Sequence, residues 1–149
     1  MMKLNDNGYL LITGFEGFSA VPYYCSARVP TIGYGNTYYP DGKRVTMKDK
    51  AITKKEAFDI FKYIADKFAL TINKYLKKPI TQNQFNSLVS FAYNVGIAAF
   101  AGSTLLKKVN INPNDPSIKI EFNKWNKADG KTVKGLATRR NKEQENYFS

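Results

Sequence analysis

A chain of 149 residues with 43% apolar and 14% aromatic side chains has material for one core and too little for two independent ones. No stretch is apolar for the length of a membrane span, Met1-Met2-Lys3 does not open a secretory leader, and a lone cysteine, Cys25, excludes an internal disulfide or a cysteine-based metal site. Histidine, the commonest general base, is absent, and a net charge of +11 spread along the chain attracts polyanions without naming nucleic acid, lipid headgroup or peptidoglycan.

Asn5 or Asp6 is placed to cap a first helix in which Leu10, Leu11 and Phe15 form one apolar face. Gly14 and Gly17 predict its end near Phe18. From Val21 to Lys50 short β-prone runs are broken by Pro22, Pro30, Gly33, Gly35 and the turn Pro40-Asp41-Gly42-Lys43, which reads as a small hairpin sheet. Thr53 followed by Glu56 is a capping box. It opens a long helix, with Ala57, Phe58, Phe61, Ile64, Ala65, Phe68, Ile72 and Leu76 recurring at helical intervals until Pro79.

Thr81 begins a further helix whose apolar face is Phe85, Leu88, Val89, Ala92 and Tyr93, with a stop at Gly96. Ser103 then caps Leu105-Leu106, and Asp115-Pro116 starts a segment containing Ile118, Phe122 and Trp125. Asp129-Gly130 breaks that segment before a last helix after Gly135. The pattern predicts an α+β fold in a single domain, 1–149. A β lobe over about 19–52 and a helical lobe over about 53–149, which also takes the N-terminal helix, are joined by the long helix.

Glu16 stands out among the carboxylates because it lies between Phe15 and Gly17-Phe18 at the C-terminal end of a predicted helix. Apolar neighbours withdraw water from a carboxylate, and the negative end of a helix opposes a second negative charge, so both favour the protonated acid. A carboxylic acid that keeps its proton is what glycosidic cleavage requires, because the leaving alkoxide must be protonated as its bond breaks. By position alone, a solvent-facing glutamate at a helix end accounts for Glu16 as well.

The surroundings of Glu16 separate the two readings. Gly14-Phe15-Glu16-Gly17-Phe18, Val21-Pro22-Tyr23-Tyr24-Cys25 and Pro30-Thr31-Ile32-Gly33-Tyr34-Gly35-Asn36-Thr37 resemble the active-site region of the phage lysozyme, or endolysin, family. The family's signature is a glutamate, eight residues, an aspartate, five residues and a threonine. Glu16 and Thr31 match its first and third places, and Cys25 stands where the aspartate belongs. The segment Ile80 through Gly96, then Ser103-Thr104-Leu105-Leu106, and Trp125-Asn126-Lys127-Ala128 followed by Gly135-Leu136, Arg139-Arg140 and Glu143 are similar to the family's central and closing motifs.

The resemblance implies a lysozyme-like fold and hydrolysis of the β-1,4 bond between N-acetylmuramic acid and N-acetylglucosamine in bacterial peptidoglycan. It makes Glu16 the general acid, while Thr31 and the residue at position 25 hold a water against the far face of the sugar, with inversion. A thiol accepts hydrogen bonds poorly unless ionised, and Arg28 is near enough in sequence to favour the thiolate of Cys25. The alternative is an inert thiol in a site without its second carboxylate.

The resemblance also implies that one of Arg139 and Arg140 approaches the glutamate. Successive helical residues diverge by about 100 degrees, so only one of the pair is expected to face inward. Asn94 falls where the family places an amide on substrate, although a helix C-cap before Gly96 would explain it too. Tyr34, between Gly33 and Gly35, is expected at the cleft edge, where glycine lets backbone approach a sugar and an aromatic ring stacks on it.

No metal and no cofactor is implied. The expected partner is peptidoglycan, with no nucleic acid and no stable membrane insertion. The expected state is a monomer held in the host cytoplasm until a holin-type pore releases it to the wall. Rival readings are a lytic transglycosylase using Glu16 alone, a catalytically impaired cell-wall binding protein, and lysis by cationic membrane disruption.

Overall fold

The computed structural model describes residues 1–149 and contains seven helices and two small antiparallel sheets. The helices are α1 (Asp6–Glu16), α2 (Lys54–Asn73), α3 (Gln82–Val95), α4 (Ile97–Ala101), α5 (Thr104–Ile111), α6 (Ile118–Asn123) and α7 (Lys134–Tyr147). The strands are β1 (Ser19–Tyr24) with β2 (Pro30–Gly33), and β3 (Lys127–Ala128) with β4 (Lys131–Thr132). This is the α+β class expected from the sequence. No helix is long and apolar enough to cross a membrane. The chain falls into two compact units, Ile12–Lys67 and Met1–Leu11 with Phe68–Ser149.

In the 12–67 unit, Ile12, Ile32, Tyr34, Val45, Ala57, Phe61, Ile64 and Ala65 are buried, so one face of α2 covers the hairpin side of this core. The Thr53–Glu56 capping box forms as its spacing predicts: the Glu56 amide donates to Thr53 Oγ1 and the Thr53 amide to Glu56 Oε1, each at 3.1 Å. At the preceding loop, the Thr46 amide and hydroxyl and the Tyr39 hydroxyl all donate to Asp49. These bonds hold the Asp49 carboxyl below the usual aspartate range, and burial together with Asp49 pushes the Tyr39 phenol up to about 12.

In the other unit α3 is the central rod, buried from Gln84 through Ala92. Phe91 meets Phe100, Phe122 and Trp125 edge-on, and Phe122 meets Tyr147 on α7 in the same way. Thr81 and Gln84 form a capping box at the start of α3, and Ser103 caps α5 by accepting from the Leu106 amide.

Three local expectations are corrected. The buried face of α1 is Tyr9 and Ile12, while Leu10 is 66% exposed, because the apolar stripe lies one residue either side of the one read from the sequence. Helix α2 ends at Asn73, not at Pro79: the Asn73 amide donates to the Ala69 and Met2 carbonyls and accepts from the Met2 amide. The segment begun near Asp115 ends as a helix at Asn123, before Trp125, and the Asp129-Gly130 break is a two-residue hairpin turn between β3 and β4, with both residues at positive φ.

Candidate active site

Glu16 is the last residue of α1 and is half-buried within the 12–67 unit. Its carboxyl lies against the backbone of Gly35, so closely that a Cβ at that position would come within 2.6 Å of Glu16 Oε2. Gly35 has φ +78° and occupies the tight turn in which Ile32 and Asn36 exchange backbone hydrogen bonds. Only glycine satisfies both the close approach and the left-handed backbone at this point.

Cys25 and Thr31 come from the hairpin of β1 and β2. Its register pairs Tyr23 with Thr31 and Tyr24 with Pro30, and the Cys25 amide donates to the Val29 carbonyl at 3.1 Å. Residues two apart on a strand, and residues opposite one another across a pair, share a face. Tyr23, Cys25 and Thr31 therefore project from one face, and Tyr24, 60% exposed, from the other. The hairpin closes through Ser26, Ala27 and Arg28, with Arg28 at φ 59° and its amide donating to the Cys25 carbonyl.

Thr31 is 2% exposed, and its hydroxyl donates to the Val29 carbonyl at 2.8 Å. Backbone hydrogen bonding from Val29 is the main influence holding the Cys25 thiol below its ordinary value, helped by the Ala27 amide against partial desolvation. The expectation that Arg28 favours the thiolate is thereby corrected: the groups that favour it are backbone amides, because Arg28 turns the corner of the loop with an exposed side chain.

In the other unit, Arg139 and Arg140 are both buried, at 5% and 0% exposure, so the expectation that only one faces inward is corrected. The fully buried Glu143 gives each arginine one oxygen: Arg139 Nε lies 3.2 Å from Oε2 and Arg140 Nε 2.7 Å from Oε1. Ser90 Oγ donates to the same Oε2, and Arg139 Nη2 donates to the Ser90 carbonyl. Burial pushes the Glu143 carboxyl up while Arg140 and then Arg139 pull it down. The Arg140 guanidinium also stacks on Phe91, with Cζ 5.1 Å from the ring centroid, and its Nη2 donates to Asn94 Oδ1 at 2.7 Å.

Asn94 is exposed, and its side chain engages Arg140, so the C-cap explanation does not hold; the cap contact is the Gly96 amide donating to the Ala92 carbonyl. A guanidinium has only donors, so the Asn94 carbonyl must face Arg140 and its NH2 group points away.

Four residues expected to contact substrate are placed differently. Tyr34 is 7% exposed, with Phe18 and Phe61 rings at 5.7 and 6.0 Å, so it is a core aromatic and not a sugar platform. Gly35 gives its space to the Glu16 carboxyl. Arg139 and Arg140 are buried on Glu143. The sequence reading passed over Tyr23 and the Ser90–Glu143 contact. Strand alternation back from Cys25 would have found Tyr23, whereas nothing local announces a pairing across 53 residues.

The phage lysozyme family model matches residues 13–143. The chain is 40% identical to an endolysin of Bacillus phage PZA over 96% of its own length, and spans 54% of that longer relative. It is 33% identical to an endolysin of Salmonella phage P22, with both chains covered in full. Among solved structures, the endolysin from Escherichia coli O157:H7 phage FAHEc1 superimposes with a TM-score of 0.90 at 38% identity, covering 99% of this chain and 94% of that one. With the family match extending over most of the residues and these similarities running the length of the chain, the protein belongs to the phage lysozyme family.

Proposed function

We propose that this chain is an endolysin that hydrolyses the β-1,4 bond between N-acetylmuramic acid and N-acetylglucosamine of peptidoglycan. The observation that carries the reading is the Cys25–Thr31 pair on the hairpin face, in the same unit as a half-buried Glu16 carboxyl held against Gly35. Glu16 gives its proton to the bridging oxygen as that oxygen leaves the anomeric carbon. A water on the opposite face of the sugar attacks, donating one hydrogen bond to Thr31 Oγ1 and one to Cys25 Sγ. The thiolate takes the water's proton as the new C–O bond forms, leaving a glutamate and a thiol that exchange protons with solvent.

Thr31 suits this task because its own hydrogen is given to Val29, which leaves its lone pairs for the water. The net charge of +11 concentrates the protein on an anionic wall. Asn94, its NH2 group turned outward by Arg140, is a donor for substrate. The protein works as a monomer, waits in the host cytoplasm and reaches the wall through a holin-type pore.

The test is turbidity loss of purified cell walls combined with mass spectrometry of the products. Glu16→Gln should lower the rate by about 10²–10⁴-fold and Cys25→Ser by a smaller factor, with a hydrated reducing end on the products of the parent protein. Equal clearing by the parent and Glu16→Gln would refute the assignment, and an anhydro-sugar end would identify a transglycosylase.

A further inference from the structure

A water bound by Thr31 and Cys25 uses both of its hydrogens on acceptors, since the threonine's own hydrogen is held by the Val29 carbonyl at 2.8 Å and a thiolate has none to give. Of the two lone pairs left on that water, one must point at the anomeric carbon. The other is free to swing, and with it the aim of the first, unless a donor fixes it. Neither of the two residues supplies that donor.

The third polar side chain on this face of the hairpin is Tyr23. It stands directly across the ladder from Thr31 and two residues before Cys25, which follows the end of the strand. It is half-buried, in contrast to Tyr24 on the other face. None of the influences on its hydroxyl is a hydrogen bond to the protein; they are burial, the charge of Glu16 on α1 and the charge of Cys25 just after β1. All three push its phenol above the ordinary tyrosine range, so it remains a neutral O–H donor wherever the enzyme would work. A donor that shares the hairpin face of Thr31 and Cys25 and feels the charges of both Glu16 and Cys25 is available to the reacting groups.

We propose that Tyr23 is a further catalytic residue, whose hydroxyl donates to the attacking water and, with Thr31 and Cys25, fixes the direction of its nucleophilic lone pair. The inference rests on the reading of Glu16, Cys25 and Thr31 given above. Tyr23 neither gains nor loses a proton in the step: the water's proton still passes to Cys25 and that of Glu16 to the leaving oxygen.

Tyr23→Phe removes the oxygen and keeps the ring, so the fold should survive, which a thermal melt verifies. On soluble peptidoglycan fragments its kcat should fall about tenfold with KM within about twofold of the parent, while Tyr24→Phe changes neither. If Tyr23 and Thr31 hold the same water, Tyr23→Phe should cost little more once Thr31→Ala has released it. The double variant should then be within about twofold of Thr31→Ala alone.

Losses that multiply in the double variant, a raised KM, or full activity in Tyr23→Phe would each overturn the assignment. Glu16→Gln, run alongside, separates the two levels. An inactive Glu16→Gln with a normal Tyr23→Phe removes only the role of Tyr23, whereas an active Glu16→Gln removes the underlying mechanism.

Discussion

At position 35 a side chain larger than hydrogen has no room, and the group it would strike is the acid itself. Gly35→Ala combines a left-handed backbone with a Cβ 2.6 Å from Glu16 Oε2, so it should displace the carboxyl as well as strain the turn. The strain should cost about 1–2 kcal/mol of stability. The displacement should lower kcat by about a hundredfold, because shifts on the order of 1 Å in a reacting group have effects of that size. Melting curves and wall clearing measure the two effects separately, and a destabilised variant with unchanged kcat would show that Gly35 serves the turn alone. The sequence marked Glu16, Cys25 and Thr31 through spacing, but it could not indicate that Gly35 leaves room for a carboxyl and not a sugar. That requires knowing which atom comes to rest above its Cα.

The hairpin of β1 and β2 is the element that turns three separate residues into one surface. Its three-residue loop needs a left-handed residue before β2, and Arg28 fills that place at φ 59°. Arg28→Gly should relieve the backbone strain and stabilise the protein by about 0.5–1 kcal/mol, net of the entropy glycine adds to the unfolded chain. For a chain of this size that is about 1–3 °C in Tm. Because the amides of Val29 and Ala27 and not the guanidinium favour the thiolate, activity should be unchanged; a loss of activity would restore Arg28 to the chemistry.

Other elements were legible where their signals were local. The box at Thr53–Glu56 formed and α3 started after Thr81 because a three-residue separation alone brings such capping partners together. The end of α2 was not legible, since the Asn73 side chain that covers the Ala69 carbonyl is itself held by the backbone of Met2, 71 residues away.

Taken as a whole, the chain interrupts one unit with another: residues 1–11 and 68–149 pack together, and 12–67 form the second unit. Stability in the discontinuous unit depends on a buried ionic cluster as well as on aromatic packing. Glu143 is fully buried between two guanidiniums and the Ser90 hydroxyl, so Glu143→Gln leaves two buried cations facing a neutral amide. The expected loss is about 3–5 kcal/mol, or a fall in Tm of about 10 °C, read by calorimetry. A change under about 1 kcal/mol would mean that the arginines find other partners. The pair Arg139-Arg140 was visible in the sequence, but its burial was not: one helix position of separation argues for opposite faces, and long flexible side chains bend back to a shared carboxylate.

By itself the sequence determined the α+β class, most helix starts, and the Glu16–Cys25–Thr31 spacing, because each depends on residues a few positions apart whose geometry is set by the local backbone. Only the tertiary structure decided that Tyr34 belongs to the core, that Tyr23 shares a face with Thr31, and that Glu143 draws two arginines inward. Those outcomes depend on which distant segments exclude water from one another, and desolvation is a property of the packed chain, not of any stretch of it.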